Sequence, residues 1–340
     1  DVEVTVFDDG KGQATKAAAG IISPWFSKRR NKAWYRMARL GADFYQNLIA
    51  DLKDAGIQTD FYQQTGVYLL KKDESKLQEL YDLAANRREE SPLIGDLSLL
   101  NRQEVHEKFP DLLGFERLLY ASGGARVEGA LLTETLLKAS KAELVEKKVS
   151  LAVEGEQLLV DGRSFDCVIL AVGAWLGEIL QPLGYETDVR PQKGQLRDFK
   201  LAEKTDDYPV VMPEGELDII PFLVGKVSVG ASHENDQGFD LTVDKTVLDQ
   251  LQQEAETYLP RLSKAEILGE RVGTRAYTSD FAPFFGAVPD LPYVYAASGL
   301  GSSGLTTGPL IGRQLAQMAL EEAGVLDSAD YPIERYVKKV

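Results

Sequence analysis

The chain has 340 residues, of which 44% are hydrophobic and 9% aromatic. This length and composition are typical of a globular protein with a sizeable core and about two domains. The 53 acidic and 38 basic residues give a formal net charge of -15, which repels nucleic-acid phosphates and anionic membrane surfaces. We therefore expect neither nucleic acid nor a membrane as a partner.

The sequence also carries information on location and on metals. No apolar stretch reaches the roughly 18 residues of a membrane span, and no signal segment opens the chain. The single cysteine, Cys167, lies in an apolar run, so we expect a buried, inert thiol and a soluble, cytoplasmic protein. His106 and His233 are far from Cys167 and lack metal-site spacing, so we expect no metal. Both histidines are interpreted as surface groups.

The predicted elements alternate between strands and helices. Residues 2–7 are partly alternating and β-branched, which predicts a strand. Apolar positions recur at helical spacing from 31 to 53, which predicts one long amphipathic helix. The continuous apolar run 167–172 is typical of a strand in a sheet covered on both faces, and it implies a parallel core. Further elements are expected at 66–70 (strand), 74–88 (helix), 131–142 (helix), 247–258 (helix) and 310–323 (helix).

The first chemical motif is Asp8 at the end of a strand, followed by Thr15 and by the small residues of 17–21. A carboxylate after the second strand of a dinucleotide fold accepts hydrogen bonds from an adenosine ribose. Small residues allow the backbone to approach a ligand closely. The alternative interpretation is an ordinary turn, because Asp and Gly are common turn residues.

The second motif is the apolar strand 167–172, which ends at Gly173 and Trp175. A strand that ends in Gly delivers the backbone to a place where a ligand leaves no room for a Cβ atom. A buried strand that merely ends in Gly is the alternative.

The third motif covers residues 273–286 and contains Arg275 two residues after Gly273. A guanidinium is suited to anchor a substrate carboxylate, because its planar fork makes two parallel charge-assisted hydrogen bonds. The alternative is an arginine paired with a structural Asp or Glu.

The fourth motif is a Gly-rich turn at 299–304 that leads into the helix at 310–323. Backbone N–H groups at a helix start carry partial positive charge. Such charge would stabilise negative charge on a group bound at this turn.

Taken together, these motifs resemble the FAD-dependent D-amino-acid oxidase (DAO) family, in its branch of glycine oxidase, D-amino-acid dehydrogenase and sarcosine oxidase-like enzymes. The family pattern Gly-x-Arg-Pro-x-Thr-Pro-Asp-x-x-Pro-x-x-Gly is kept at six positions, with Ala276 and Ser279 in place of two prolines. The resemblance implies FAD as the cofactor. It is expected to be non-covalent, since the Gly-rich turn contains no Cys or His. The cofactor-binding residues so implied are Asp8, Thr15, Ala18, Ala19, Gly20, Ile21, Val149, Val172, Gly173, Trp175, Gly273, Gly301, Ser302, Ser303, Gly304 and Leu305.

The implied fold is α/β, with a Rossmann-like FAD-binding domain interleaved with an α+β substrate domain on a large mixed sheet. The FAD-binding domain would comprise 1–55, 120–182 and 268–340, and the substrate domain 56–119 and 183–267. The family begins with a strand, a G-x-G-x-x-G turn and a helix, whereas this chain opens on what would be the second strand. We therefore expect a truncated N-terminus that lacks about thirty residues.

The implied function is oxidation of the CH–NH bond of a small amino acid, of the glycine, sarcosine or D-amino-acid type. A hydride would pass to flavin N5 and the imine would hydrolyse, with Arg275 as the carboxylate anchor and no side-chain base if the amine binds neutral. Oxygen or another acceptor would take the electrons, and a homo-oligomer is compatible with the sequence. At Asp218 the chain departs from the substrate-facing Tyr that the family often has.

Two alternative functions stay open. The first is an FAD-dependent 2-hydroxy-acid or polyol-phosphate dehydrogenase, which would need a base for the hydroxyl proton. The second is a non-catalytic FAD-binding subunit.

Overall fold

The computed structural model describes residues 2–340. Within this range the chain forms eight α-helices, numbered α1 to α8 in chain order. Five of them correspond to the predicted helices, although the last begins at Gly304 and not at 310, and the three shortest were not predicted. Their bounds are Ala14–Ala17, Lys32–Asp54, Glu74–Arg87, Arg102–Lys108, Gly129–Ser140, Leu176–Leu180, Lys245–Tyr258 and Gly304–Ala319.

The same residues, 2–340, form 21 strands, numbered β1 to β21. Most of them are short, and only β14 and β18 exceed ten residues. Their bounds are Thr5–Phe7, Ile21–Ile22, Tyr62–Gln63, Val67–Leu69, Leu97–Asn101, Arg117–Ala121, Ala125–Val127, Glu143–Val145, Leu151–Glu154, Gln157–Val160, Arg163–Phe165, Val168–Leu170, Tyr185–Thr187, Arg190–Lys200, Val210–Met212, Asp218–Pro221, Lys226–Gly230, Glu266–Tyr277, Phe284–Ala287, Val294–Ser298 and Val337–Lys339.

The largest sheet has eight strands in the order β18-β14-β17-β16-β15-β4-β6-β5. Its neighbours are antiparallel except for β15 and β4, which are parallel. The large mixed sheet expected from the resemblance is therefore present. Its residues alternate between two apolar clusters: Val210 and Ile220 face one cluster, and Val211 and Ile219 face the other. Helices α2 and α3 contribute to the first cluster, and α4 and α7 to the second.

Parallel pairs also occur in the smaller sheets, between β1 and β8 and between β12 and β20. The expectation that the strand at 167–172 is covered on both faces is wrong. β12 is the edge strand of a three-stranded sheet, and Ile169 is 41% exposed. Cys167 is only half-buried, and this partial burial raises the pKa of its thiol.

Helices α2 and α8 pack against each other and so position the Gly-rich turn that precedes α8. The side chain of Asn31 begins α2 by accepting a hydrogen bond from the Trp34 backbone N–H at 2.9 Å. Farther along α2, the buried Tyr45 hydroxyl donates to the Leu305 carbonyl at 2.8 Å. Gly41 permits the close approach, because a Cβ atom there would lie 2.6 Å from the Thr306 carbonyl oxygen.

The division into two interleaved domains stays a prediction. Strands β6 and β18 run across two of its boundaries, at 119–120 and 267–268, so those boundaries fall inside continuous strands.

The packing of α2 against α8 leads to a stability prediction with an internal control. We expect Gly41→Ala to lower the melting temperature by about 2–6 °C, because backbone atoms of α8 occupy the space that the methyl group needs. Gly312→Ala, on the exposed side of α8 with nothing near its Cβ position, should raise it by about 1–2 °C through helix propensity. Thermal unfolding followed by circular dichroism measures both. Equal shifts in the two variants would contradict the packing argument.

Candidate active site

A cavity of about 840 Å³ lies against one face of the eight-stranded sheet. This volume is in the usual range for a site that binds a small molecule or cofactor. Its other walls are the segment 14–21 and the start of α8 at 301–306. Many of the predicted site residues therefore meet in one place. Those that line the cavity are Thr15, Ala18, Ala19, Gly20, Ile21, Gly273, Arg275, Gly301, Ser302, Ser303, Gly304 and Leu305.

The segment Thr15–Ile21 forms one wall with its small side chains and backbone. Gly20 has a φ of +85°, and a Cβ atom there would collide with the Val127 carbonyl. The neighbouring strand β7 therefore demands glycine at this position. The sequence interpretation had assigned the need for small residues to a ligand, whereas for Gly20 the protein backbone supplies the reason.

The Gly-rich turn forms the opposite wall. Gly301 has a φ of +54°, and a Cβ atom there would collide with the Tyr277 ring. The Tyr277 hydroxyl accepts a hydrogen bond from the Ser302 N–H at 3.0 Å, so Tyr277 holds the turn in place. No side chain caps α8, and no acidic residue lies in its first turn. The start of α8 therefore contributes partial positive charge to the cavity wall.

Arg275 lies on β18 with its guanidinium in the cavity wall. Its Nη1 donates to the Ser232 carbonyl at 2.9 Å and to Gln192 Oε1 at 3.1 Å. No carboxylate in residues 2–340 forms an ion pair with it, so the alternative of a structural ion pair does not hold. Burial lowers the pKa of Arg275.

Arg271 lies four residues earlier on the same face of the strand and provides a contrast. Its Nη2 donates to Asp198 Oδ1 at 2.9 Å, and its Nη1 donates to the Ala18 carbonyl. Arg271 is thus neutralised by the protein, whereas Arg275 keeps its charge available to a ligand.

Of the two glycines near Arg275 on the paired strands, only Gly194 makes room for its side chain. A Cβ atom on Gly194 of the adjacent strand β14 would lie 2.6 Å from Arg275 Nη1, so the guanidinium lies across this glycine. Gly273 instead faces α1, where its Cβ position is 2.8 Å from the Ala17 side chain. The sequence interpretation included Gly273 but missed Gly194, whose role depends on the pairing of β14 with β18.

The remaining predicted residues lie outside the cavity. Asp8 Oδ1 accepts from the Gly10 N–H at 2.7 Å, and Oδ2 accepts from Gln13 Nε2 at 2.8 Å. Trp175 packs against Gly12, in the same short segment that follows Asp8. Val149 and Val172 pack against one apolar cluster, and the Gly173 carbonyl accepts a hydrogen bond from Ser298. The predicted cofactor residues therefore form two groups, one in the cavity and one around the ends of β1 and β12.

Two cavity residues were missed or interpreted differently from the sequence. His233, expected at the surface, lines the cavity with its Nδ1 3.3 Å from Glu216 Oε2, although its side chain is still 30% exposed. Burial and the nearby Arg275 charge lower the pKa of His233. Asp218 lines the cavity from β16, and burial raises the pKa of its carboxyl group to about 8. The sequence showed that Asp218 lies next to the strand residues 219–221. It did not show that the Asp218 side chain faces the cavity.

Residues 2–340 offer neither a cluster of metal ligands nor a membrane-spanning helix. They contain no group of three or more His, Cys, Asp or Glu side chains placed to hold a metal ion. None of the helices in this range combines the length and apolarity that crossing a membrane requires.

Comparison with known proteins identifies the class. The chain matches the profile of the family described as FAD dependent oxidoreductase (DAO) over residues 1–318. It is therefore an enzyme of the FAD-dependent oxidoreductase class, and it belongs to the DAO family. The resemblance and the fold class inferred from the sequence are confirmed.

Three relatives illustrate the similarity. The uncharacterized oxidoreductase YurR of Bacillus subtilis (strain 168) is 40% identical over 339 residues, which cover 96% of this chain and 91% of YurR. The glycine oxidase of Pseudomonas aeruginosa (strain PAO1) is 29% identical over 347 residues, with 97% of this chain and 92% of that protein covered. The structure of iminodiacetate oxidase (IdaA) from Chelativorans sp. BNC1 superposes with a TM-score of 0.91 at 32% identity, with 98% of this chain and 92% of IdaA covered.

The residues present fit FAD, as the family requires. The uncapped start of α8 presents N–H groups to the cavity, where they suit the electron-rich edge of a flavin ring. Gly301 and the small residues of 17–20 keep the two facing walls free of bulky side chains.

We predict that FAD is held without a covalent bond. Neither of the facing walls 14–21 and 301–306 contains a Cys or His, so they offer no side chain of the types that commonly attach a flavin. Acid precipitation of the purified yellow protein should release all of the colour into the supernatant. Colour that stays in the washed pellet would contradict the prediction.

Proposed function

We propose that this enzyme oxidises the CH–NH bond of a small amino acid of the glycine, sarcosine or D-amino-acid type. FAD, when bound, accepts the hydride from the substrate carbon, and the resulting imine hydrolyses. The protein contributes the position of the substrate and the electrostatic surroundings of the reacting atoms.

The unpaired Arg275 carries the proposal. The half-buried guanidinium forms no ion pair within residues 2–340, and a substrate carboxylate would bind it with two parallel hydrogen bonds. Its hydrogen bonds to Gln192 and Ser232 use only Nη1. They therefore fix the orientation of the guanidinium and leave Nη2 free of protein partners within residues 2–340.

The relatives support the same substrate class. Glycine and iminodiacetate, the substrates in the names of two of them, both combine a carboxylate with an amine nitrogen. A site with a fixed guanidinium beside a flavin suits both molecules.

A 2-hydroxy acid is the second candidate substrate, and one observation favours it. Oxidation of a hydroxyl group needs a base for its proton. The imidazole of His233 lies in the cavity with Glu216 at its Nδ1, which is an arrangement that could serve.

We predict that Asp8 holds the adenosine ribose of FAD. Asp8→Ala should weaken FAD binding by roughly ten- to hundredfold, the loss of charge-assisted hydrogen bonds worth about 1.5–3 kcal/mol. Fluorescence titration of apoprotein with FAD measures the change. Asp9→Ala is the matched control, because within residues 2–340 the Asp9 side chain accepts a hydrogen bond only from the neighbouring Lys11 N–H. If Asp8→Ala binds FAD as tightly as the wild type, Asp8 only forms the turn to Gly10 and Gln13.

We predict that Arg275 anchors the substrate carboxylate. Arg275→Ala should lower kcat/KM by about thirtyfold to several thousandfold, which corresponds to about 2–5 kcal/mol, with FAD still bound. Arg275→Lys should recover only part of the activity, because a point charge cannot reproduce the planar fork. Lys28→Ala is the control, since Lys28 borders the same cavity but is paired with Glu79 and exposed.

Anaerobic stopped-flow measurement of flavin bleaching decides between the substrates. The panel contains glycine, sarcosine, proline, D-amino acids, a decarboxylated amine and 2-hydroxy acids. If the decarboxylated amine reduces the flavin as fast as the amino acids do, Arg275 is not a carboxylate anchor. Reduction by hydroxy acids alone would establish the second candidate. Admission of air then reports whether oxygen takes the electrons from the reduced flavin. Oxygen as the acceptor, the cytoplasmic location and the homo-oligomer all stay predictions.

A further inference from the structure

Asp218 is the feature of the cavity that the proposed function leaves unused. It is the first residue of β16, it is half-buried, and its accessible part faces the cavity. Its carboxylate has no hydrogen-bond or ion-pair partner among residues 2–340. An unpaired carboxyl group in a cavity wall is available to a ligand that brings a hydrogen-bond donor.

The sheet register fixes where Asp218 lies relative to Arg275. Gly230 of β17 pairs with both Leu196 of β14 and Asp218 of β16. Gly194, across which the Arg275 guanidinium lies, is therefore two strands and two residues from Asp218. With strands about 4.8 Å apart and a rise of about 3.3 Å per residue, their Cα atoms are about 12 Å apart. The side chains of Asp218 and Arg275 both line the space between.

The wall thus holds a guanidinium and a carboxyl group that do not pair with each other or with another ionic group of residues 2–340. A small amino acid complements both groups once Asp218 is ionised. The carboxylate of the ligand would bond the Arg275 guanidinium, and its amino group would bond Asp218. Each of these ionic hydrogen bonds would bridge about 2.8 Å between the ligand and the side chain.

We propose that Asp218 binds the amino group of the substrate and removes its proton before oxidation. This proposal rests on the proposed function. The step is R–NH₃⁺ + Asp218–COO⁻ → R–NH₂ + Asp218–COOH. The nitrogen lone pair set free in this way is what the carbon needs as the hydride leaves. Asp218 is therefore a catalytic residue as well as a determinant of substrate class.

The surroundings of Asp218 suit this proton transfer. A carboxylate with an ordinary pKa is too weak a base for an ammonium group, whereas burial raises the pKa of Asp218 to about 8. The other titratable groups that line the same cavity are Lys28, Lys71, Lys76, Glu214, Glu216, His233 and Arg275. Lys28 and Lys76 are paired with Glu79 and Glu214, and His233 is paired with Glu216.

The first test measures binding without turnover. The probes are 2-aminoisobutyrate, which has no hydrogen on Cα and so is not oxidised, and pivalate, its near-isostere with a methyl group for the amine. Isothermal titration calorimetry on the FAD-loaded enzyme gives both affinities. Asp218→Asn should weaken 2-aminoisobutyrate by ten- to hundredfold and leave pivalate unchanged or tighter. Glu214→Gln, which removes the same charge from the cavity wall, should leave both unchanged.

The same experiment separates this proposal from the proposed function. Arg275→Ala should weaken both probes, because both carry the carboxylate. If Arg275→Ala changes neither affinity, the proposed anchor fails. If Arg275→Ala weakens both but Asp218→Asn leaves 2-aminoisobutyrate unchanged, only the role of Asp218 is overturned.

The second test is a pH profile. Below a pH of about 8 Asp218 is protonated and cannot accept a proton, so kcat/KM of the wild type should fall as the pH drops through this value. The Asp218→Asn enzyme has no such base, so it must bind substrate molecules whose amine is already deprotonated. With sarcosine its kcat/KM should be about a hundredfold lower at pH 8, and its profile should follow the titration of the sarcosine amine itself. Identical profiles in the two proteins would overturn the proton transfer.

Discussion

The antiparallel pairing of β14 with β18 is the constraint on which the site depends. The pairing runs from Arg190 opposite Tyr277 to Lys200 opposite Glu266. It places Gly194 beside Arg275, so that the guanidinium has room to lie across the sheet. It also places Gly273 against α1, which brings the wall 14–21 to the sheet. A shift of this register by one residue would turn Arg275 to the opposite face and remove it from the cavity.

The cavity combines surfaces of different electrostatic character. The start of α8 contributes partial positive charge from backbone N–H groups, held by Tyr277 and by the packing of α2. The sheet contributes the Arg275 guanidinium and the Asp218 carboxyl group, neither of which forms an ion pair within residues 2–340. Arg271 and Asp198, which lie nearby, neutralise each other.

The clustering of Gly residues has two separate physical causes. Gly20, Gly41 and Gly301 are required because the protein's own atoms, from Val127, Thr306 and Tyr277, occupy the space of a Cβ atom. Gly194 is required because the functional side chain of Arg275 occupies that space. Close packing of backbone segments and the shape of the site thus use the same residue type, and the sequence alone does not distinguish between them.

The sequence by itself determined the five longest helices, the family and the choice of Arg275 as a candidate carboxylate anchor. Periodicity and local motifs encode these features within short segments. Only the tertiary structure decided that Arg275 forms no ion pair within residues 2–340 and that His233 reaches the cavity. It likewise decided that Ile169 is exposed and that Asp218 shares a wall with Arg275. Each of these depends on contacts between residues far apart in the chain, across strands whose order does not follow the sequence. Burial and charge pairing are properties of such contacts, so no local pattern reveals them.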